Sequence, residues 1–336
     1  MSLVPYLHRV AAGADLTSAE AHAAMTLLLE GAMHDAAVGA FLVALRVKGE
    51  TASELAGFAR AMREHMVAVD AGPEVIDIVG TGGDDAGTFN ISTVAALVLA
   101  GAGARVAKHG NRAISGKVGS ADVLEALGVR IAMTPEEAAG AVREIGLGFL
   151  FAPHLHPAMK NVQEVRRELK MRTVFNLLGP LANPARAQTQ VIGAPSAEFA
   201  GMMAEALAEL GTGHSYVVHG VGLDEVSTTG STEVYEVWTG RVEKSVWMPE
   251  DFGVPKVALD ALAGGDAAEN AKIAVELLGG LRGPKRDIVL VNAAAGLMAA
   301  GLAATPREGV ARAAEAIDSG RAMAVLERLR EKFPKS

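Results

Sequence analysis

The chain reads as an α/β protein: a small all-helical unit followed by a larger α/β unit with a central, mainly parallel sheet. Three observations predict this. Up to about Met66, apolar residues recur at helical spacing with no strand signal between them. From Val75 onward, apolar runs of strand length alternate with helical patterns, the signature of parallel strands joined by helices. Within that region a strand, a glycine-rich turn and a helix start occur twice in about fifty residues.

In the first unit, Thr17-Ser18-Ala19-Glu20 and Thr51-Ala52-Ser53-Glu54 both fit the capping box, in which hydroxyl and carboxylate satisfy free N–H groups at a helix start. Ala24, Leu27 and Leu28 mark the buried face of one helix, and Phe41, Leu42 and Leu45 that of another. Val69 to Glu74, with Asp70, Gly72 and Pro73, reads as a linker. Val75 to Val79 is then a buried strand, Asn90-Ile91-Ser92-Thr93 opens a helix over Val94 to Ala100, and Ala104 to Ala107 is a second strand. Lys108-His109-Gly110-Asn111-Arg112 reads as a turn, and a helix follows at Gly119 to Gly128. Thr134-Pro135-Glu136-Glu137 starts another helix, with proline at its first position. Phe149-Leu150-Phe151 is a short strand and Ala158 to Leu169 a helix, while Asn176 to Pro184 reads as broken by Gly179, Pro180 and Pro184. Strands resume at Gln190-Val191-Ile192 and Tyr216-Val217-Val218. Glu233 to Trp238 and Arg241 to Trp247, joined by Thr239-Gly240, form a hairpin. Ile288 to Ala304 is a buried helix with its flanks, and charged amphipathic helices close the chain from Pro306.

Composition narrows the function classes. Of 336 residues half are apolar but only 4% aromatic, and 38 are glycine, so the core is built from Ala, Val and Leu with many tight turns. The absence of cysteine excludes disulfides and thiolate chemistry, and is consistent with a reducing, cytoplasmic setting. The first residues lack a basic stretch followed by an apolar one, so a secretory signal is not expected, and no stretch has a membrane-spanning profile. A net charge of −8 argues against general nucleic-acid affinity, so a polyanionic ligand must be met by local cations or a metal.

The glycine turns aim backbone N–H groups and helix N-termini at anionic oxygens. The dinucleotide fingerprint GxGxxG fails, because Asp85 stands where the third glycine should be. A Walker loop fails too: Gly110 to Gly116 is one residue too long, and Val118 replaces the hydroxyl residue. The spelling GTGGD, NIST and KHGNRAISGKVGSADVLEALG, in that order, closely resembles the signature of the anthranilate phosphoribosyltransferase family. The resemblance continues through His156-Pro157-Ala158-Met159-Lys160, Arg172-Thr173-Val174-Phe175-Asn176-Leu177-Leu178-Gly179-Pro180-Leu181-Ala182-Asn183-Pro184 and Gly222-Leu223-Asp224-Glu225, and so spans essentially the whole chain.

That resemblance implies a nucleoside-phosphorylase-like architecture with a discontinuous helical domain. Residues 1–70 would be joined by about 158–186, leaving 75–157 and 187–336 as the α/β domain. It implies transfer of the phosphoribosyl group of phosphoribosyl pyrophosphate to the amine of anthranilate, a step of tryptophan biosynthesis. Gly80, Gly83, Asp84, Thr88, Asn90, Ile91, Ser92 and Thr93 would line the phosphoribosyl pyrophosphate site. Lys108, His109, Gly110, Asn111, Arg112, Ala113, Ile114, Ser115, Gly116 and Ser120 would complete it. Hydroxyls and backbone N–H groups donate to phosphate, and Lys108 supplies a compact charge. Ser92 or Ser120, taken singly, would also fit ordinary helix N-capping.

Gly80, Asn111 and Arg166 would hold anthranilate, the guanidinium matching the carboxylate in two-pronged geometry. Adjacent acids most often lie in solvent, but the resemblance makes Asp224 and Glu225 magnesium ligands, with Ser92 a further contact. His109 fits an acid or base role as well as positioning; positioning is the expectation, and no residue is assigned as an acid or base. His154 and His156 form an H-x-H pair without a third metal ligand, and read as lining the second substrate. Lys170 stands where relatives often carry glycine. A homodimer through the helical domain is also implied. The rivals are a pyrimidine-nucleoside phosphorylase, which would not need the acidic pair as metal ligands, and a non-catalytic nucleic-acid-binding relative, which should be basic.

Overall fold

A computed structural model describes residues 2–82, 86–113 and 118–335. The first unit is α1 (Val4–Ala11), α2 (Ser18–Glu30), α3 (Asp35–Lys48) and α4 (Ala52–Glu64). Both expected capping boxes are present: Thr17 and Thr51 accept from the backbone N–H of Glu20 and Glu54, whose carboxylates reach back. Glu54 is fully buried and also accepts from the Leu16 amide at 2.9 Å and from Lys48 at 3.0 Å, which ties α4 to the chain before α2. A buried carboxylate is tolerable here because every partner donates to it.

The α/β region runs β1 (Ile76–Gly80), α5 (Ile91–Gly101), β2 (Val106–Gly110), α6 (Ser120–Ala126), α7 (Pro135–Ile145) and β3 (Leu147–Phe151). Then come α8 (Ala152–Leu155), α9 (Lys160–Leu169), α10 (Phe175–Leu181), β4 (Thr189–Gly193), α11 (Ala197–Glu209) and β5 (His214–Gly220). The hairpin β6 (Thr232–Trp238) and β7 (Arg241–Trp247) precedes α12 (Ala267–Leu278), α13 (Pro284–Ala299), α14 (Pro306–Asp318) and α15 (Arg321–Lys332). Among the described residues the sheet order is β3-β2-β1-β4-β5-β6-β7, with β1 to β5 parallel and β6 and β7 antiparallel. Thr239 and Gly240 both have positive φ (47° and 78°), which matches the tight hairpin turn whose twist suits the strands.

Alternation along the strands sends side chains to two cores. Val191, Tyr216, Val218 and Val234 face the layer of α5, α13, α14 and α15. Ile192, Val217 and Val237 face α11, beyond which the same buried cluster continues into α1 to α4, α9 and α10. Thus Val162 and Val165 of α9, and Phe175 and Leu178 of α10, are buried with the N-terminal helices, although the whole stretch from Glu64 to Lys160 lies between.

Two local readings need correction. Lys108-His109-Gly110 is the end of strand β2, paired with Phe149, Leu150 and Phe151, and not a turn. The glycine and asparagine that suggest a turn start it one residue later. Phe175–Leu181 is helical despite Gly179 and Pro180; Pro180 falls in the last turn of a short helix, so it removes one hydrogen bond to the preceding turn and the helix ends one residue later.

Candidate active site

In an open parallel sheet, ligands bind beyond the carboxyl ends of the strands where the strand order reverses. Here that point lies between β1 and β4, whose last residues Gly80 and Gly193 are paired. Asp224, which follows β5 through the turn at Gly222, sits against both. A methyl group on Gly80 would stand 2.5 Å from Asp224 Oδ2, and one on Gly193 would stand 1.4 Å from the Asp224 carbonyl oxygen. Only glycine lets the backbone come this close to the acid.

The acidic pair is drawn into the glycine loops. Gly82 N–H donates to Asp224 Oδ2 at 2.6 Å, and Ser92 N–H, in the first turn of α5, donates to Glu225 Oε1 at 3.2 Å. Arg172 in turn donates to the Gly82 carbonyl at 2.6 Å. Asp224 and Glu225 are 7% and 9% exposed, so they are not solvent acids. Behind them Asn292 of α13, fully buried, accepts from Val226 N–H and donates to its carbonyl, both at 2.9 Å.

Lys108 lies beneath the α5 N-terminus. Its ammonium donates to the Ile78 carbonyl at 2.6 Å and to Ser92 Oγ at 3.4 Å. Burial pushes its pKa down, while Asp77 and Glu225 hold it up. Asp77, fully buried in β1, accepts from His109 N–H at 3.2 Å and Asn183 Nδ2 at 2.7 Å. Burial raises its carboxyl to about 6, against the pull of Lys108 and these donors. Lys108 and His109 follow each other on β2, so they point to opposite faces of the sheet. The His109 ring donates from Nδ1 to the Gly179 carbonyl at 3.0 Å, on α10. Burial, then the neighbouring His156 ring, lower its pKa to about 3, so the imidazole is neutral with Nε2 as an acceptor. Nε2 has no hydrogen-bond partner among the described residues.

The remaining loop residues fall as follows. Thr88 pairs with Ala263, and Asn90 is the N-cap of α5 without a side-chain cap bond. Ile91 and Thr93 are buried, at 1% and 2% exposure. Ser92 and Ser120 lie inside the first turns of α5 and α6; neither is the N-cap. Ser120 Oγ donates to the Asn111 carbonyl at 3.4 Å, beside Gly110. Arg112 is held by Glu125 at 2.6 and 2.8 Å and by Asp122 at 3.0 Å, and Ala113 N–H donates to Asp122. Gly83, Asp84, Ile114, Ser115 and Gly116 lie outside the described residues.

Arg166, on α9, lies with its guanidinium 4.9 Å from the centre of the Phe175 ring. Among the described residues it has no carboxylate or hydrogen-bond partner, and burial lowers its pKa. Its neighbours place it by α10, the helix that also receives His109. The H-x-H pair separates: His156 is buried 5.1 Å from the His109 ring, while His154 is exposed against Phe151. No cluster of three His, Cys, Asp or Glu able to hold a metal is found among the described residues. The Asp224–Glu225 pair is instead a hard, two-carboxylate set of the kind magnesium shares with phosphates. It therefore fits magnesium, and does not fit a closed protein cage.

Asp77, Asn183, Asn270 and Asn292 were not singled out from sequence. Asp77 carried a signal: a lone acid in the apolar run Val75 to Val79 is an anomaly that a buried partner must explain. The asparagines carried none, since one partner of each is distant in the chain: Asp77 for Asn183, Asn90 for Asn270 and Val226 for Asn292.

Two family models cover most of the molecule: a glycosyl transferase family helical bundle domain over residues 4–66 and a glycosyl transferase family a/b domain over 72–323. The anthranilate phosphoribosyltransferase of Solibacter usitatus is 56% identical over 98% of both chains. That of Symbiobacterium thermophilum is 52% identical over 97% of this chain and 96% of its own. The crystal structure of the Thermus thermophilus enzyme superposes with a TM-score of 0.92 at 46% identity, covering 97% of this chain and 98% of that one. The Saccharomyces cerevisiae enzyme, solved in complex with phosphoribosyl pyrophosphate and magnesium, gives 0.89 at 32% identity over 98% and 97%. Identity this high, spread over nearly the full length of each relative and carried by the same fold, means that the chain belongs to the anthranilate phosphoribosyltransferase family.

Proposed function

We propose that this chain transfers the phosphoribosyl group of phosphoribosyl pyrophosphate to the amine of anthranilate, releasing pyrophosphate with inversion at the anomeric carbon. The observation that carries this is the convergence at one sheet edge of a helix N-terminus, a buried lysine and two carboxylates held by loop N–H groups. On α9 the Arg166 guanidinium, with no carboxylate partner among the described residues, rests on the Phe175 ring. The first group suits a pyrophosphate that leaves with its metal; the second suits a small aromatic carboxylate.

The reaction forms an N–C1 bond as the C1–O bond breaks, the electron pair leaving with pyrophosphate and the amine losing a proton. The nitrogen becomes acidic as it is alkylated, so positioning and stabilisation of the departing anion matter more than a strong base. Asp224, Glu225 and Ser92 would hold magnesium, which when bound neutralises charge on the leaving pyrophosphate. Gly80, Thr88 and the α5 start from Asn90 to Thr93 offer N–H and hydroxyl donors. Lys108 and the segment Gly110 to Ala113 with Ser120 would meet the same anion, and the motif resemblance implies the same for Gly83, Asp84, Ile114, Ser115 and Gly116. Arg166, Asn111 and the Gly80 backbone receive anthranilate, and His109, neutral, positions it.

In this reading the segment 158–186 belongs to the helical domain, which supplies Arg166, and anthranilate binds where that domain meets the α/β domain. The protein works in the cytoplasm as a homodimer joined through the helical domain. The direct experiment is to incubate it with anthranilate, phosphoribosyl pyrophosphate and magnesium and follow anthranilate fluorescence. Loss of fluorescence with release of pyrophosphate is expected; folded protein that leaves anthranilate untouched overturns the proposal.

A further inference from the structure

We propose that Asn270, on α12 and outside every loop considered so far, is a positioning residue for the phosphoribosyl pyrophosphate site, acting through Asn90. The inference rests on the functional reading above. Asn270 is 3% exposed, and both ends of its amide are used. Gly265 N–H donates to its Oδ1 at 2.8 Å, and its Nδ2 donates to Asn90 Oδ1 at 3.0 Å. Asn90 Nδ2 then donates to the Val118 carbonyl at 3.2 Å, just past the second glycine-rich segment.

The polarity of this chain is fixed by its ends. Gly265 N–H can only donate and the Val118 carbonyl can only accept, so each amide between them has one allowed orientation. Asn90 must therefore turn its NH2 toward Val118. That group carries two hydrogens, and the one not given to Val118 has no partner among the described residues. At the N-cap of α5 this leaves an N–H for an anionic oxygen. With the amide reversed, Asn90 would present a carbonyl oxygen there and repel the same anion.

The backbone around the two asparagines is built to hold this register. Phe89 N–H donates to the Leu262 carbonyl at 3.3 Å, and Gly264 N–H to the Gly87 carbonyl at 2.9 Å. A methyl group on Gly264 would stand 2.6 Å from the Phe89 backbone and 2.8 Å from Asn270 Oδ1. The segment before α12 thus clasps the loop before α5, and Asn270 extends that clasp to the end of the second loop.

The test is calorimetric binding of phosphoribosyl pyrophosphate with magnesium to the wild type, N270D, N90A and the double variant. N270D keeps an acceptor for Gly265 but cannot donate to Asn90, whose amide is then driven to reverse. Its affinity is expected to fall roughly tenfold. In the N90A background the same change should matter by less than about twofold, because its route is gone. In turnover assays, the Michaelis constant for anthranilate should stay within about twofold of wild type. K272A, an exposed position on the same helix, is the control, and N270S replaces N270D should the latter not fold. Unchanged binding in the Asn270 variant that folds, or an equal loss with and without Asn90, overturns the inference. A wild type that binds phosphoribosyl pyrophosphate without turnover refutes the proposed reaction while this inference is still decided by the binding cycle; a wild type that binds none refutes both.

Discussion

Among the described residues Arg166 has a ring to lie on and no anion to hold, which is unusual for a guanidinium that burial already disfavours. Replacing it with alanine removes the partner of the anthranilate carboxylate and leaves the glycine loops intact. The loss should be about 1.5–3 kcal/mol, appearing in the anthranilate Michaelis constant and far less in that of phosphoribosyl pyrophosphate. Equal effects on both substrates in steady-state kinetics would make Arg166 a structural residue. His109 and His156 lend themselves to a stability measurement. Burial lowers them to about 3 and about 4 from 6.5, so below pH 6.5 the unfolded chain takes up protons that the folded rings refuse. Stability is then lost as pH falls through that window. Asp77, raised by burial to about 6 from 3.8, works in the opposite direction over most of the same range. Two rings outweigh one carboxyl, and their contribution changes by about 1.4 kcal/mol per pH unit for each net proton. His156→Gln should flatten the fall in Tm between pH 7 and pH 5 measured by scanning calorimetry. An unchanged slope would mean that His156 is not held neutral by the fold.

Helix α9 ends on a residue that the sequence marks as odd. Lys170 adopts φ 47° and ψ 34° at the C-cap. That left-handed conformation is easy for glycine and strained for a residue with a Cβ. Lys170→Gly should stabilise the protein by about 0.5–1 kcal/mol, the relief of strain exceeding the extra freedom given to the unfolded chain. A lower Tm in the variant would show that the lysine side chain holds the turn. Most elements were legible because their signals are local: the capping boxes at Thr17 and Thr51, the helix start at Thr134 and the hairpin turn need only four neighbouring residues each. The end of β2 was not. Lys108 and His109 look like loop residues, and only the pairing with β3 and the buried partners Ile78 and Gly179 make them strand. In the site, likewise, the glycine loops and the acidic pair could be named from sequence. The hydrogen bonds from Asp77, Asn183, Asn270 and Asn292 could not, because they join residues that meet only after folding.

At the scale of the molecule, α9 and α10 share a buried cluster with the N-terminal helices, and Asn183 fastens the chain after them to Asp77 and the Ala107 carbonyl. Helical periodicity describes each of these helices and says nothing about which partner buries them. The same limit applies between chains. On α3, Phe41, Leu42 and Leu45 are buried, but Val47, two residues on and so on the opposite face, is 81% exposed, and Val4 at the start of α1 is 44% exposed. Single exposed valines are ordinary; two on the packed pair α1 and α3 of a domain proposed to dimerise are candidates for the contact. A second copy of the chain would cover them without new polar partners, since a valine needs only to be removed from water. Light scattering at micromolar concentration should then give about twice 34.6 kDa for the wild type. Val47→Glu, which would bury a charge in that contact, should shift the mass toward one chain while circular dichroism stays unchanged. A wild-type monomer would overturn the dimer. A wild-type dimer that Val47→Glu leaves intact would move the interface away from the outer face of α3.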